Sequence, residues 1–546
     1  MKDCIAIELM TIEEFYRVII GSLRMVPYYF RRQKPPYDVG EGVWLPPKAG
    51  YIFDEPSSRT IGSFQEAAER LGFRHGFPVT PESSSLQKGE SLVKAMVTCL
   101  QQGCDLVFFR TKMEGATLHA AQSLQRMDPE LVWHRTNVPI INGGDGTKNH
   151  PSQVLLDCVC IVLRRLDIRR CNEVELDRLE EFLRQPEEEI RAFIKNVFDN
   201  LQIAFIGDLK FSRVVSSWLA LGQKFRIKYI LVAPPVFQVD GWRLNRVEAA
   251  TTANLRDALK ADINYVMRTQ QERLKGVMTE AEATATLEEL EIGPDYMREF
   301  RGEIMHAQPL DAKFPMVLAP VWYHERCLID MQAAMGPPTR MALILECWND
   351  RDAKGPLLEV AAVSPTVSGE MTIEEHRQQR DDKLAGQGTR RRSVDDIDRG
   401  MVFDHLPVDS GILIQSVLWQ SGILPDGCPG LIVANEQESP KLKEKDIIWL
   451  RDRFLPYEVL AALTLIAPNM TVVELKGGMY RKLSFGLPRA VSDLFRCPNP
   501  ACITIKDPSA GSFFEVDGST SAENAHLHCA FCGGRFTRRQ IINNLR

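Results

Sequence analysis

The chain of 546 residues is too long for one hydrophobic core and predicts about three or four domains. Its 44% hydrophobic and 25% charged residues are ordinary for a globular protein, and 66 basic against 72 acidic residues leave a net charge of −6. That balance argues against a surface devoted to nucleic acid or to an anionic membrane, and no apolar run reaches the length of a membrane span. The start, Met1-Lys2-Asp3-Cys4 followed by Glu8, Glu13 and Glu14, lacks the charged-then-apolar pattern of a signal peptide. Thirteen cysteines, mostly scattered in apolar runs, suit a reducing compartment, so a cytoplasmic protein is expected.

Helical spacing runs from Ile12 to Leu23, before a stretch rich in Pro, Tyr and Gly. The first chemical signal is Phe53-Asp54-Glu55-Pro56-Ser57-Ser58-Arg59-Thr60. Phe64, Ala67, Ala68 and Leu71 then recur at helical spacing, with Gly72 as the stop. Three hydroxyls and a guanidinium thus gather at a helix N-terminus, where backbone N–H groups and the dipole already favour an anion. A Ser-rich cap beside a surface Arg is the alternative. The order F-x-E-P-S-x-R-T resembles the carbamoyl-phosphate loop of the aspartate and ornithine carbamoyltransferase family, with Ser58 where the family usually has Thr.

Beyond it, Ser83-Ser84-Ser85-Leu86-Gln87-Lys88-Gly89-Glu90-Ser91 reads as an exposed loop before a helix. It resembles the family loop that reaches into a neighbouring subunit's site. The resemblance implies that Ser84 or Ser85, together with Lys88, contacts carbamoyl phosphate across a shared site, and hence that the protein is an oligomer. Asp105 to Arg110 predicts a buried strand ending in a cation, at the sheet edge where α/β proteins bind ligands. Arg110 resembles the family arginine on carbamoyl phosphate. Val138 to Gly146 predicts a strand entering a glycine turn, followed by His150-Pro151-Ser152-Gln153 and a helix. The string resembles the family's His-Pro-x-Gln segment. It implies that His150 stabilises the oxyanion of the tetrahedral intermediate and that Gln153 binds the carbamoyl nitrogen.

A charged helical segment near residues 173–199 leads to a second α/β pattern. The strand Ile203 to Asp208 precedes Arg213, without the glycine spacing of a dinucleotide site. This resembles the start of the family's aspartate-binding domain, which implies that Arg213 clamps the substrate α-carboxylate. Tyr265-Val266-Met267-Arg268-Thr269-Gln270-Gln271-Glu272-Arg273 resembles the aspartate branch, with Arg268 and Gln270 as aspartate ligands. His306-Ala307-Gln308-Pro309-Leu310 stands where the family has His-Pro-Leu-Pro-Arg. The family's Pro-Leu pair contacts carbamoyl phosphate largely through backbone carbonyls, so the resemblance implies that Ala307 and Gln308 supply them here, and the changed side chains leave a different amine acceptor open. Tyr323 to Trp348 predicts helices that pack back on the first domain.

Residues 366–392 are polar, end in Arg390-Arg391-Arg392 and read as a linker. Arg399 to Pro407 resembles the start of the aspartate carbamoyltransferase regulatory chain, which implies that Asp404, His405 and Lys482 contact a nucleotide effector such as CTP, UTP or ATP. Trp449 replaces a lysine of that pattern. Finally, Cys497, Cys502, Cys529 and Cys532 form two close pairs at metal-ligand spacing and predict one structural zinc. A nucleic-acid-binding zinc ribbon, with Arg535, Arg538 and Arg539, is the alternative. C-P-N-x-x-C with C-x-x-C resembles the regulatory-chain zinc domain more closely.

The expected fold is α/β: two doubly wound parallel-sheet domains, an α+β regulatory domain and a small β-rich zinc-binding domain. Boundaries are expected at 1–172 (carbamoyl phosphate, completed by helices near 322–350), 173–321 (aspartate), 351–392 (linker), 393–485 (regulatory) and 486–546 (zinc). The resemblance implies carbamoyl transfer to L-aspartate by a trimer or a higher assembly. A different acceptor, or a non-catalytic scaffold, are the alternatives.

Overall fold

The structure, a computed structural model, describes residues 1–81, 85–132, 135–268, 270, 279–306, 315–384, 397–425, 427–428, 430–437, 444–517 and 522–544. The chain divides into two units, Met1–Leu357 and Leu358–Arg546.

Unit one carries two parallel sheets. The first joins β1 (Lys48–Phe53), β2 (Arg74–His75), β3 (Leu106–Thr111) and β4 (Ile140–Asp145) in the order β2-β1-β3-β4. Strands β3 and β4 are buried throughout, as parallel strands covered on both faces must be. The cover includes α1 (Ile12–Phe30), α2 (Ser58–Arg70), α3 (Leu92–Gln101), α4 (Ala116–Arg126) and α5 (Pro151–Arg165). Helix α1 runs past the predicted end at Leu23. Pro27 sits in its last turn, and burial of Met25, Val26 and Pro27 offsets the hydrogen bond that proline removes.

Two helices, α6 (Glu173–Leu183) and α7 (Glu187–Asp199), meet at Pro186 and lead into the second sheet. It comprises β5 (Gln202–Gly207), β6 (Lys228–Val232), β7 (Glu248–Thr252), β8 (Ile263–Met267) and β9 (Glu303–His306), ordered β7-β6-β5-β8-β9. Its helices are α8 (Arg213–Gly222), α9 (Glu280–Leu287), α10 (Pro294–Glu299), α11 (Ala319–Trp322) and α12 (Ile329–Ala334). Then α13 (Gly336–Asn349) returns to pack on α1, α2 and α5. Each sheet has one switch point, between β1 and β3 and between β5 and β8, where the connections leave in opposite directions. Crevices outside the carboxyl ends of such strand pairs are the natural ligand sites of open α/β sheets.

Unit two opens with β10 (Thr366–Thr372) and α14 (Ile373–Leu384), so much of the stretch read as a linker is ordered structure. The polar composition is that of an edge. Strand β10 is mostly exposed, and its backbone groups pair antiparallel with β15. The other elements are β11 (Gly400–Leu406), α15 (Ser410–Gln420), β12 (Leu431–Gln437), β13 (Glu444–Arg451), α16 (Tyr457–Leu463), β14 (Thr471–Lys476) and β15 (Met479–Ser484). The antiparallel order is β10-β15-β14-β11-β13-β12. A last sheet joins β16 (Ala490–Ser492), β17 (Phe513–Val516), β18 (His526–Cys529) and β19 (Arg535–Thr537), with α17 (Ile503–Lys506) and α18 (Arg538–Asn543) beside it. Among the described residues no helix is long and apolar enough to cross a membrane.

Candidate active site and metal centre

The first switch point is built from the β1–α2 turn, the end of β3 and the glycine turn after β4. Ser57 caps α2, its Oγ accepting from the Thr60 backbone N–H at 3.4 Å and donating to Thr60 Oγ1 at 2.9 Å. Thr60 is buried, whereas Ser58 and Arg59 are exposed beside it at the helix mouth. Gly143 lies beneath this mouth. A Cβ there would stand 3.4 Å from Thr60 Cγ2 and 3.1 Å from the Phe109 carbonyl, so the bare backbone lets α2 approach β4.

Arg110, at the end of β3, donates Nη1 to the Gly143 carbonyl at 2.9 Å and Nη2 to Glu55 at 2.8 Å. The same Glu55 carboxylate takes both Nη groups of Arg213, at 2.9 and 2.7 Å. Glu55 therefore joins a guanidinium of the first sheet to one of the second. Over both lies Gly144, at φ +124°, where a Cβ would come within 2.9 Å of Arg110 Nη1 and 3.0 Å of Arg213 Nη1. Two arginines held on one carboxylate leave net positive charge for an anionic ligand.

His150 precedes Pro151 at the N-terminus of α5, and its backbone N–H donates to Ser217 Oγ of α8 at 3.0 Å. The ring is buried, and Nδ1 has no hydrogen-bond partner among the described residues. Burial first, then the guanidiniums of Arg213, Arg110 and Arg340, hold its pKa well below the ordinary histidine value. The ring is thus a neutral imidazole with hydrogen-bonding capacity to spare. Gln153, one turn on, donates Nε2 to Asp157 at 3.0 Å.

Around the second switch point, Asp208 accepts the Gln270 backbone N–H at 3.0 Å, which brings the loops after β5 and β8 together. Arg213 begins α8 and Arg268 directly follows β8. Lys88 is exposed at the end of the turn Ser85–Lys88, ahead of α3. Ser84, Ala307 and Gln308 lie outside the described residues, as does the side chain of Ser85.

Sequence reasoning missed three groups here. Glu55 stood inside the quoted motif but was given no role. Arg340, on α13, is buried without a carboxylate partner among the described residues. It donates to Ser63 Oγ at 2.7 Å, lies 4.7 Å over the Phe64 ring and leaves Nε unpaired. Burial pulls its pKa down to about 10. Asp157 is the third; as one carboxyl in the apolar run Val154-Leu155-Leu156-Asp157-Cys158-Val159, it was a signal in plain view.

In unit two the four cysteines are buried, and their sulfurs all lie within 4.8 Å of one another. Cys497 Sγ is 3.6 Å from Cys532 Sγ, and Cys502 Sγ is 3.8 Å from Cys529 Sγ. A tetrahedron with zinc–sulfur bonds of about 2.3 Å has edges of about 3.8 Å, so the donor set fits. Thr504 Oγ1 at 3.2 Å and the Gly534 N–H at 3.4 Å donate to the sulfurs of Cys502 and Cys532 and stabilise thiolates. The nucleic-acid alternative loses two of its cations to internal work. Arg535 pairs with Asp517 at 2.9 Å, and Arg538 donates to the carbonyls of Leu465 and Ile466.

On the six-stranded sheet, Asp404 is paired with Lys445 at 2.6 Å, and His405, at φ +61°, meets Thr471 Oγ1 at 3.0 Å. Lys482 stands opposite Val473. Trp449 is buried with Val402, Ile447, Val473 and Leu475, and Ile373 of α14 packs on that cluster.

The fold is a pair of open parallel α/β domains, each with a ligand-site crevice at its switch point. Residues 4–162 match the family model described as aspartate/ornithine carbamoyltransferase, carbamoyl-P binding domain. Residues 392–482 and 489–542 match the allosteric and metal binding domains of the aspartate carbamoyltransferase regulatory chain. The chain is 30% identical over 305 residues to the aspartate carbamoyltransferase catalytic subunit of Thermococcus kodakarensis, covering 54% of this chain and 81% of that one. It thereby belongs to the aspartate carbamoyltransferase family. The Leptospira biflexa catalytic subunit is 30% identical over 227 residues, 41% of this chain, which spans only 59% of that relative. The solved catalytic subunit of M. jannaschii aspartate transcarbamoylase aligns at 25% identity and a TM-score of 0.49, over 65% of this chain and 100% of its own.

Proposed function

We propose that the chain transfers the carbamoyl group of carbamoyl phosphate to L-aspartate, giving N-carbamoyl-L-aspartate and phosphate. The observation that carries this reading is the neutral, buried His150 among Arg110, Arg213 and Arg340 at the first switch point. The phosphate would sit at the α2 mouth on Ser57, Ser58, Arg59 and Thr60, with Arg110 on an adjoining oxygen. His150 would hydrogen-bond the carbonyl oxygen, and Gln153 the amide nitrogen. Arg213, Arg268 and Gln270 would hold the two carboxylates of aspartate. The neutral aspartate nitrogen attacks the carbonyl carbon, negative charge collects on the carbonyl oxygen, and the carbon–oxygen bond to phosphate breaks while the amine passes its proton to the departing phosphate. The protein's contribution is proximity and charge stabilisation, with no covalent intermediate. Lys88, with Ser84 or Ser85, would complete the site of a neighbouring copy, which makes the enzyme an oligomer of at least three chains by family resemblance.

The test is carbamoyl-aspartate formation by the purified full chain, with Arg59→Ala as the control. Product above the control is expected, and its absence overturns the reading. Product only with another amine would keep the transferase and replace the acceptor.

The metal held by the four cysteines is read as zinc, and would act structurally, since four thiolates close the tetrahedron and leave no open position. The regulatory-type sheet is read as an effector module with Asp404, His405 and Lys482 as contacts. A nucleotide would meet Lys482 but no second cation at position 449, where the buried Trp449 stands, so its phosphates lose one charge-assisted contact. The expected result is that CTP, UTP and ATP alter the transfer rate only at millimolar levels. A micromolar response in a titration of activity would refute this.

A further inference from the structure

Asp157, Gln332, Tyr265 and Trp218 are each no more than 1% exposed, yet they bring together one carboxyl and three polar groups from distant segments. Asp157 Oδ1 accepts from Gln153 Nε2 at 3.0 Å and from Gln332 Nε2 at 2.8 Å. Its Oδ2 accepts from Tyr265 OH at 2.9 Å and from Trp218 Nε1 at 3.3 Å. Gln332 in turn accepts the backbone N–H of His306 through Oε1 at 3.0 Å. Burial pushes the Asp157 carboxyl up to about 7, and the hydrogen bonds from all four neighbours oppose that shift; because each presents a donor, the carboxylate satisfies them and a neutral amide would not. Such saturation is what keeps a buried carboxylate tolerable.

The arrangement has a directional consequence for Gln153. A side-chain amide can lie either way round, and the choice is set by its partners. Because Asp157 accepts only, Gln153 must turn its NH2 inward, which turns Oε1 away from Asp157. We infer that Asp157 is a positioning residue, which holds the Gln153 carbonyl toward the site so that it accepts from the NH2 of a bound carbamoyl group. This rests on the transferase reading given above. The same carboxylate ties α5 to α8, β8 and α12. It therefore anchors Gln153 to the strand that leads to Arg268 and, through Gln332, to the end of β9 at His306.

Asparagine at this position removes the demand for donors. Its own NH2 can then donate to Gln153 Oε1, and Gln153 can turn its NH2 toward the substrate's NH2, donor against donor. Losing that one hydrogen bond corresponds to about a tenfold change in binding. Inorganic phosphate, lacking the NH2, is the internal control.

The experiment titrates carbamoyl phosphate and inorganic phosphate into the full chain and into Asp157→Asn, by calorimetry. The expected result is a Kd for carbamoyl phosphate raised about tenfold, with the Kd for phosphate within about twofold of the unaltered chain. Should Asp157→Asn fail to fold, Tyr265→Phe carries the test. It removes one hydroxyl from Oδ2 and keeps the ring, and the expected split is about threefold in the same direction. Equal loss for both ligands in a folded variant marks a merely structural carboxylate and overturns the inference, as does no change for either. Absence of carbamoyl phosphate binding by the unaltered chain overturns the transferase reading and this inference together.

Discussion

His150→Ala is expected to lower carbamoyl transfer by about 10²–10³-fold, the typical loss when one oxyanion donor is removed. The ring is buried beside three guanidiniums, and its backbone N–H, not its imidazole, makes the bond to Ser217. Alanine keeps that backbone bond and the N-terminal turn of α5, so the loss falls on kcat rather than on folding. Binding of inorganic phosphate, proposed above to rest on the α2 mouth, should change little. The protonation state gives a second readout. Burial and the arginines hold the folded pKa well below the ordinary value of about 6.5, so the imidazole stays neutral through the physiological range. The pH profile of kcat should show no inflection near pH 6.5 from this residue. Stability behaves differently. Below about pH 6.5 the unfolded chain binds a proton that the folded chain refuses, so stability falls as pH falls, and His150→Ala should flatten that slope. A pH–rate inflection near 6.5 that vanishes in the variant would refute the neutral ring.

Stripping the metal from the four cysteines is the second large effect. Binding of a structural zinc is worth about 10–16 kcal/mol to a small domain, more than the whole stability of most domains. The sheet β16-β17-β18-β19 is short, and two of its strands, β16 and β19, have three residues each. Chelation is therefore expected to abolish hydrogen-exchange protection across β17, β18 and α18 and to release one zinc per chain. The parallel sheets of residues 1–357 should keep theirs, because their cores are apolar and continuous. Cys502→Ser should reproduce the loss without a chelator. Protection that survives metal removal would show that the apolar groups Phe514, Leu527 and Phe531, all buried here, suffice by themselves.

Much of this was legible without coordinates, and the reason is locality. Ser57 reads as a helix cap because cap and helix are neighbours in sequence, and the structure finds it capping α2. His150 before Pro151 reads as a helix start because proline favours the first helical position. Two close cysteine pairs declare a metal because ligand spacing is a short-range property. The same locality misled at residues 366–384. Edge strand β10 and helix α14 bury little surface, so their composition is that of a linker, and only pairing with β15 gives them structure.

What only the tertiary structure decided is which charges meet. Glu55 clasps Arg213 from 158 residues away, Arg340 reaches Ser63 across 277, and Gln332 reaches Asp157 across 175. Residue type and spacing pointed by themselves to a candidate anion site, to the starts of α2 and α5 and to four thiols able to close on a metal. Hydrogen-bond periodicity and capping operate within a few residues, and so they are written along the chain. The pairing of a carboxylate with two guanidiniums, and the single orientation left to Gln153, depend instead on segments brought together by burial of apolar surface, a force without direction that no stretch of sequence records alone.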